Sequence, residues 1–217
     1  MNYLRNSKFD WENIKVIGFD LDGTLYDEFD FINQVYTEIA KMLELNSHKK
    51  TEIKSRLLSR WLEKGSSYPY LFKEVIQEFE LNEDEKLELE LKSLELFRNF
   101  EPVLVLSERT KFLLSSLKER FQLFLVTDGS SNLQWNKIKS LDIDKYFDLN
   151  NISVSGDYGS QFYKPSPISI QNISLFRDNK DFNNSQVLYI GDRTVDFDFA
   201  NNSGFNFMYI NSLFLTF

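Results

Sequence analysis

The sequence contains no cysteine and a single histidine. The absence of cysteine excludes disulfides, thiol nucleophiles and thiolate metal sites. A metal bound by this chain therefore needs oxygen ligands, and any catalysis must use carboxylates, hydroxyls or lysines. The histidine, His48, falls in the polar stretch 46–50 and is expected at the protein surface.

Long apolar runs and an excess of basic residues are also lacking. No apolar segment approaches the roughly 18 residues that cross a membrane, and the first residues contain no stretch of signal-peptide type. A cytoplasmic protein without membrane contact is therefore expected. The 33 acidic and 25 basic residues give a net charge of -8. Because no basic patch offsets this charge, nucleic acid is not an expected partner.

Hydrophobic residues, by contrast, are sufficient for a sizeable core. They make up 42% of the chain, which includes 21 phenylalanines. This composition excludes a disordered acidic chain. The length of 217 residues indicates one large domain or a core with an insertion.

Short apolar runs alternate with helical patterns over most of the chain. The runs are typical of buried strands and lie at 16–19, 123–126, 187–190 and 207–210, with a weaker one near 152–154. Amphipathic helical patterns cover 110–117, where Phe112 shares a stripe with three leucines, and also 131–141 and 168–176. This alternation predicts βαβ units and a parallel sheet.

The alternation is interrupted after the first strand by a stretch that reads as consecutive helices. Apolar stripes recur at helical spacing from residue 32 to 43, from 71 to 79 and from 87 to 97, and the last is densely charged on its other face. We therefore predict an α/β core formed by residues 1–26 and 107–217, and a helical insert formed by residues 27–106.

Polar residues that suit phosphate or a hard cation follow the predicted strands. In an open parallel sheet, ligands bind outside the carboxyl ends of the strands. The first strand is followed by Asp20, Asp22 and Thr24, the second by Thr127, Asp128 and Gly129, and the fourth by Asp192 and Asp196, while Lys164 precedes the 168–176 helix.

Electrostatics explains why these residues could form one site. Four carboxylates in one crevice would repel each other and raise each other's pKa values. A divalent cation that prefers oxygen, such as Mg²⁺, relieves this repulsion. Lys164 would add a fixed positive charge and Thr127 a neutral donor, so the site could accept a dianionic phosphoryl group. One aspartate could attack phosphorus, and a second could move the protons.

The motifs that carry these residues, in this order, resemble those of the haloacid dehalogenase-like superfamily of phosphatases. They are Asp20-Leu-Asp-Gly-Thr24, Thr127-Asp-Gly129, Lys164-Pro165 and Gly191-Asp-Arg-Thr-Val-Asp196. The resemblance is to the branch with a helical cap inserted after the first motif. It implies an α/β fold, with a Rossmann-like parallel sheet flanked by helices and a small all-α cap domain inserted after strand 1.

The resemblance also implies a reaction, namely Mg²⁺-dependent hydrolysis of a small phosphorylated metabolite through an aspartyl-phosphate. Asp20 would be the nucleophile, and Asp22 would be the general acid and base. Lys164 would act in catalysis by balancing the charge of the nucleophile and the phosphate. Phosphate would be bound by Thr127, Asp128, Gly129 and Lys164. The metal would be held by Asp20, by the Asp22 carbonyl, by Asp192 and, directly or through water, by Asp196.

Two positions depart from the family pattern or leave an alternative open. Asp128 stands where many relatives have asparagine, so only a backbone or indirect role is expected for it. Asp198 could partly substitute for Asp196. Asp192 and Asp196 could alternatively cap the helix that follows them, because aspartate is favoured at helix N-termini.

The core motifs address only the phosphate, so the choice of substrate is expected to lie in the insert. Its polar and aromatic loop supplies the candidates, which are Ser66, Ser67, Tyr68 and Tyr70. The alternative interpretation is a plain connection between two helices.

Other functions remain open at this point. A phosphomutase of the same branch needs the same two aspartates. A dehalogenase is disfavoured because it needs neither Mg²⁺ nor the acid at Asp22. A phospho-accepting receiver is shorter and places its acidic pair before the lysine, whereas here Asp192 and Asp196 come after Lys164. A non-catalytic phosphate-binding relative would lack the nucleophile.

Overall fold

The computed structural model describes residues 10–46, 52–178 and 181–214, and the chain divides into two compact units. One unit contains Met1–Asp27 and Leu104–Phe217, and the other contains Glu28–Val103. His48 lies outside the described residues. Among the described residues, no helix combines the length and the apolar character that crossing a bilayer requires.

The first unit is built on a five-stranded sheet in which all neighbouring strands are parallel. The strands are β1 (Val16–Phe19), β2 (Gln122–Thr127), β3 (Ile152–Val154), β4 (Val187–Gly191) and β5 (Asn206–Tyr209). Their order is β3-β2-β1-β4-β5, so the first strand lies in the centre. This finding confirms the α/β fold with a parallel sheet that the sequence predicts.

The described residues contain nine α-helices, and five of them belong to this first unit. In chain order they are α1 (Glu28–Asn46), α2 (Ile53–Lys64), α3 (Leu71–Gln77), α4 (Glu83–Asn99), α5 (Glu108–Lys118), α6 (Ser131–Ser140), α7 (Ser174–Asp178), α8 (Thr194–Asn202) and α9 (Ile210–Phe214). The five helices in the same unit as the sheet are α5–α9.

The central strand is buried along its whole length. Residues of β1 and β4 are inaccessible to solvent, which explains why both strands are continuous apolar runs rather than alternating ones. Gly18 allows the neighbouring strand to pack closely, because a Cβ atom there would come 2.1 Å from the ring of Phe124. The Phe124 ring in turn packs edge-on against Phe176, with 5.1 Å between centroids.

Three local expectations differ from the structure. The predicted helix at 168–176 is a 3-10 segment, Pro167–Asn172, followed by the short α7. The two are separated because Ile173 adopts an extended conformation and is fully buried. Phe112 is 53% exposed, since the buried face of α5 is formed by Leu113, Leu114 and Leu117. The last strand ends one residue earlier than expected, because Ile210 begins α9.

The second unit consists of helices α1–α4 with their own aromatic core. The expected stripe of α1 is largely buried, with Ile32, Val35, Ile39 and Leu43 fully so. The ring of Phe97 in α4 contacts Phe31, Tyr36 and Phe72, with centroids 5.4, 6.4 and 5.8 Å away.

Two helices of this unit carry weak sequence signals. The sequence did not indicate α2, whose buried residues are only Ile53 and Leu57. Helix α4 buries only Leu89 and Ser93, and it begins with a capping box in which Asn82 and Glu85 exchange hydrogen bonds. Most of its acidic side chains are exposed to solvent.

Candidate active site

The candidate site lies at the carboxyl end of β1, where the strand order reverses: β2 and β3 lie on one side of β1, and β4 and β5 lie on the other. Such a reversal leaves a crevice outside the strand ends. Asp20 follows β1 directly, is 2% exposed, and donates its backbone N–H to the Ile190 carbonyl at 3.0 Å. This bond fixes the start of the loop to the neighbouring strand β4.

Lys164 connects two of the predicted carboxylates. Its ammonium lies 2.5 Å from Asp20 Oδ1 and 2.6 Å from Asp196 Oδ1, and its side chain is fully buried. Burial alone would lower the pKa of Lys164, but Asp20, Tyr189 and Asp196 outweigh it and hold the pKa well above its ordinary value. Lys164 therefore carries a fixed positive charge inside the site.

The Asp20 carboxylate is destabilised by its surroundings. Burial raises its pKa to about 7, Lys164 opposes this rise, and the charges of Asp196 and Asp22 add to it. Thr24 donates its hydroxyl to Asp20 Oδ2 at 3.3 Å. The ionised form of a buried carboxyl group is stabilised by any further positive charge close to it.

Three carboxylates form a group that suits a metal ion. Oxygen atoms of Asp20, Asp192 and Asp196 all lie within 4.8 Å of one another. Burial and the charge of Asp196 raise the pKa of Asp192. Gly23, with φ of 74°, allows the turn after β1 to approach Asp192, because a Cβ atom there would come 2.5 Å from Asp192 Oδ2.

The charge and chemistry of this group fit Mg²⁺. Lys164 contacts Asp20 and Asp196, and the more exposed Arg193 lies 3.9 Å from Asp192, so three carboxylates face two cations and keep an excess of negative charge. A divalent ion with a preference for oxygen ligands suits such a group. The Asp22 carboxylate is not part of the group, and the assignment of its backbone carbonyl to the metal stays a prediction.

Asp196, the third residue of α8, also caps the start of that helix, in line with the alternative interpretation. Its Oδ2 accepts backbone N–H groups from Asp192 at 3.2 Å and from Arg193 at 3.1 Å, at the start of α8. Its Oδ1 accepts from Lys164. The two roles coexist because they use different oxygen atoms. Asp198 is exposed and is not a member of the carboxylate group within the described residues.

Asp22 lies in a different electrostatic environment from Asp20. Its Oδ1 accepts hydrogen bonds from Lys137 Nζ at 2.6 Å and from the Tyr26 hydroxyl, and its Oδ2 accepts from Gln134 Nε2 at 3.3 Å. Burial alone would raise the pKa of Asp22, but these contacts, Lys137 foremost, hold it below its ordinary value. The two aspartates of the first motif thus have pKa values shifted in opposite directions.

The residues after β2 form the next part of the site. Thr127 is fully buried, and its hydroxyl donates to Gln134 Oε1 at 3.3 Å. The Asp128 carboxylate accepts the backbone N–H of Lys164 at 3.1 Å, while burial raises its pKa. Asp128 therefore orders the loop that carries Lys164, and Lys164 is joined to Pro165 by a cis peptide bond. Gly129 has φ of 148°.

Two residues of α6 were missed by sequence reasoning. Gln134 and Lys137 are 3% and 2% exposed, and both contact Asp22. A signal for them was present: they are three residues apart, and so share one helix face, in the helix that follows Thr127. Long polar side chains on a buried face are seldom without a specific partner.

The four candidates for substrate choice lie in the second unit. Ser66 accepts from Trp61 Nε1 at 2.7 Å and donates to Glu28 at 2.5 Å. Tyr68 donates its hydroxyl to Glu74 at 2.5 Å. The Tyr70 ring is 56% exposed and packs edge-on against Tyr68. Ser67 is exposed.

Comparison with known proteins gives one family. A model described as "Haloacid dehalogenase-like hydrolase" matches residues 17–210. A search of curated proteins found no match.

Solved structures share the fold. A HAD-hydrolase candidate, YfnB from Bacillus subtilis, whose structure was determined bound to magnesium, is 22% identical, with 90% of this chain and 86% of that one covered and a TM-score of 0.65. A predicted phosphoglycolate phosphatase from Haemophilus somnus is 22% identical over 90% and 84% of the chains, with a TM-score of 0.61. A β-phosphoglucomutase candidate from Thermotoga maritima is 20% identical over 88% and 82%, with a TM-score of 0.57.

Proposed function

The chain belongs to the haloacid dehalogenase-like hydrolase family, and we propose that this enzyme is a magnesium-dependent phosphatase acting on a small phosphomonoester. The observation that carries the proposal is the double contact of buried Lys164 with Asp20 and Asp196, beside the third carboxylate, Asp192. This arrangement combines a nucleophile, a fixed cation and a metal-suited group.

Mg²⁺ would be held by Asp20, Asp192 and Asp196, with the Asp22 carbonyl as a further ligand. When bound, it supplies positive charge that favours the ionised form of Asp20 and offsets the charge of the phosphoryl oxygens. Thr127 and the backbone of Asp128 and Gly129 would bind those oxygens. Lys164 would balance the charge of nucleophile and phosphate, since electrostatic stabilisation dominates this kind of transfer.

The reaction divides into two steps. In the first, a carboxylate oxygen of Asp20 forms a bond to phosphorus while the bond from phosphorus to the leaving oxygen breaks, and Asp22 donates a proton to that oxygen. In the second, water attacks phosphorus, its proton passes to Asp22, and the Asp20 carboxylate is released with inorganic phosphate. Because Lys137 holds the pKa of Asp22 below its ordinary value, Asp22 must take up a proton with the substrate before the first step, and it ends each cycle in the protonation state in which that step began.

The proposed role of the helical unit is a cap that selects the substrate and excludes water. Support comes from the loop at 66–70, where the exposed Tyr70 ring is available for contact with a ligand. The hydroxyl of Tyr68 is already bonded to Glu74, so Tyr70 is the stronger candidate of the two.

Replacing Asp20 by asparagine tests the mechanism directly. We expect the variant to fold and to release no phosphate from p-nitrophenyl phosphate or from a panel of phosphorylated sugars and short acids. Removing divalent cations with a chelator should silence the wild type, and adding Mg²⁺ should restore it. Hydrolysis by the Asp20→Asn variant, or by the chelated wild type, would overturn the mechanism.

A phosphomutase is the alternative that uses the same residues. Its aspartyl-phosphate would pass the phosphoryl group to a bound sugar phosphate rather than to water. The fold shared with the Thermotoga maritima protein leaves this alternative open. Measuring inorganic phosphate and sugar phosphate isomers in the same reaction separates the two: release of phosphate supports the phosphatase, and isomerisation without release supports the mutase.

A further inference from the structure

Helix α6 directs two buried polar side chains towards the predicted site. Gln134 and Lys137 are almost inaccessible to solvent, although lysine and glutamine are rarely buried so completely. Burial of an ammonium is strongly unfavourable unless it is paired. A partner must therefore justify the position of Lys137, and the structure shows it to be Asp22.

The ion pair between Lys137 and Asp22 is formed with one oxygen of the carboxylate, Oδ1. Lys137 Nζ lies 2.6 Å from Asp22 Oδ1, and the Tyr26 hydroxyl donates to the same atom. The side chains of Lys137 and Asp22 are 3% and 12% exposed. Because two donors converge on Oδ1, the carboxylate is fixed in rotation, while Oδ2 accepts the longer contact from Gln134, at 3.3 Å. Oδ2 is then the oxygen placed to exchange a proton.

The amide of Gln134 connects three of the predicted site residues. Its Nε2 donates to Asp22 Oδ2 at 3.3 Å and to the Asp128 carbonyl at 2.9 Å, and its Oε1 accepts from the Thr127 hydroxyl at 3.3 Å. This pattern uses both donors and the acceptor of the amide. Gly129 makes the approach possible, since a Cβ atom there would come 2.4 Å from Nε2.

We propose that Lys137 and Gln134 are positioning residues for proton transfer, which hold the Asp22 carboxylate at a fixed distance from the phosphate-binding Thr127. The inference rests on the proposed phosphatase function, because it assigns Asp22 the proton that passes to the leaving oxygen. Lys137 sets the orientation of the carboxylate, and Gln134 couples it to the loop after β2. Neither side chain touches the reacting atoms.

The proposal predicts a dependence on the leaving group. An alkoxide leaving group needs a proton as the bond to phosphorus breaks, whereas p-nitrophenolate leaves without one. The value of kcat/KM reports the steps up to departure of the leaving group. A misplaced Asp22 should therefore lower kcat/KM for an alkyl phosphate and spare kcat/KM for an aryl phosphate. A merely structural defect would lower both alike.

The experiment compares Lys137→Met with Lys139→Met, an exposed lysine on the same helix. Each is assayed with Mg²⁺ on glycerol 2-phosphate and on p-nitrophenyl phosphate. We expect Lys137→Met to lower kcat/KM about 10- to 100-fold for the alkyl substrate, the range that misplacement of a proton donor produces, and less than about 3-fold for the aryl substrate. Lys139→Met should match the wild type. Equal losses on both substrates would overturn the proposal.

Two further variants keep the test valid if Lys137→Met does not fold, which a thermal melt would show. Lys137→Arg retains the charge and should recover most of the alkyl activity. Gln134→Met retains the shape but lacks the amide and should show the same selective loss. Equal losses on both substrates in folded Gln134→Met, or in folded Lys137→Arg, would overturn the proposal.

Crystal structures of the wild type and Lys137→Met give a readout independent of activity. The proposal requires the Asp22 carboxylate to move by about 1 Å or more, enough to impair transfer. An unmoved carboxylate overturns the positioning role, even in an active enzyme. If the wild type hydrolyses neither substrate, the phosphatase function itself has failed, and the crystal structures alone decide whether Lys137 positions Asp22.

Discussion

The buried ammonium of Lys164 offers the most quantitative test of the site's electrostatics. Replacing Lys164 by methionine retains the length of the side chain but leaves Asp20 and Asp196, at 2% and fully buried, without their shared cation. Breaking a buried ion pair by removing one partner destabilises a protein by about 3–5 kcal/mol. With a urea m-value of about 2 kcal/mol/M, the unfolding midpoint should fall by about 1.5–2.5 M.

The pH dependence of this loss has a defined sign. Lys164 opposes the rise in the pKa of Asp20, so its removal raises that pKa further above about 7. A carboxyl whose pKa is raised in the folded state stabilises the protein at acid pH, and this contribution is lost as the pH rises through the raised pKa. The difference between variant and wild type should therefore be small near about pH 5 and large near about pH 8.

Urea denaturation followed by circular dichroism, with a chelator present, measures the effect. The exposed Lys139 provides the control through Lys139→Met, which should leave the midpoint unchanged. The double variant Lys164→Met, Asp196→Asn should recover part of the loss, because one unpaired charge is removed while an acceptor for the α8 backbone remains. A loss below about 1 kcal/mol near neutral pH, typical of an exposed pair, would refute the reasoning.

Three further predictions concern the metal, the loop after β2 and the cap. Asp192→Asn removes one of three carboxylates and should therefore weaken Mg²⁺ binding about 10-fold or more. Calorimetry in the absence of a phosphate analogue measures this affinity, and an unchanged affinity would exclude Asp192 as a ligand. Gly129→Ala should lower the free energy of unfolding by about 1–3 kcal/mol, because the φ of 148° at Gly129 and the 2.4 Å approach of a side chain both oppose a Cβ atom. Gly65→Ala is the control: its Cβ atom would have nothing within 4 Å, so the same thermal melt should show only the effect of backbone strain. Tyr70→Ala should raise KM for the physiological phosphomonoester and spare p-nitrophenyl phosphate, while Tyr68→Phe should change neither; equal effects on both substrates would place Tyr70 outside substrate selection.

The sheet could be predicted because each of its strands is a short apolar run with a definite end. The predicted runs at 16–19, 123–126 and 187–190 lie side by side as β1, β2 and β4. Parallel strands bring their carboxyl ends to one edge, so the residues after them were expected together. The structure brings Asp20, Asp192 and Asp196 within 4.8 Å.

The contacts of Asp22 could not be predicted in the same way. Its pairing with Lys137 joins residues 115 positions apart and depends on the rotation of α6 about its axis. Spacing along the helix shows that Gln134 and Lys137 share a face, but not that this face is turned towards Asp22. For Asp196, capping of α8 was treated as an alternative to a place in the site. A carboxylate has two oxygens, however, so Asp196 accepts hydrogen bonds from the start of α8 and from Lys164 at the same time. Helix α2 escaped notice because only Ile53 and Leu57 are buried in it.

The central position of β1 has a consequence for the order in which the molecule is completed during synthesis. Val16 pairs with Gln122 and with Val187, so the first strand made is joined to its two neighbours only after long stretches of chain. The helices of Glu28–Val103 are continuous in the chain and depend on nearer contacts, which form sooner. We expect the helical unit to become ordered first, while β1 remains an unpaired apolar segment suited to chaperone binding. Asp20, the proposed nucleophile, is therefore synthesised long before Lys164, Asp192 and Asp196, and we expect hydrolysis only once residues 187–200 have been added.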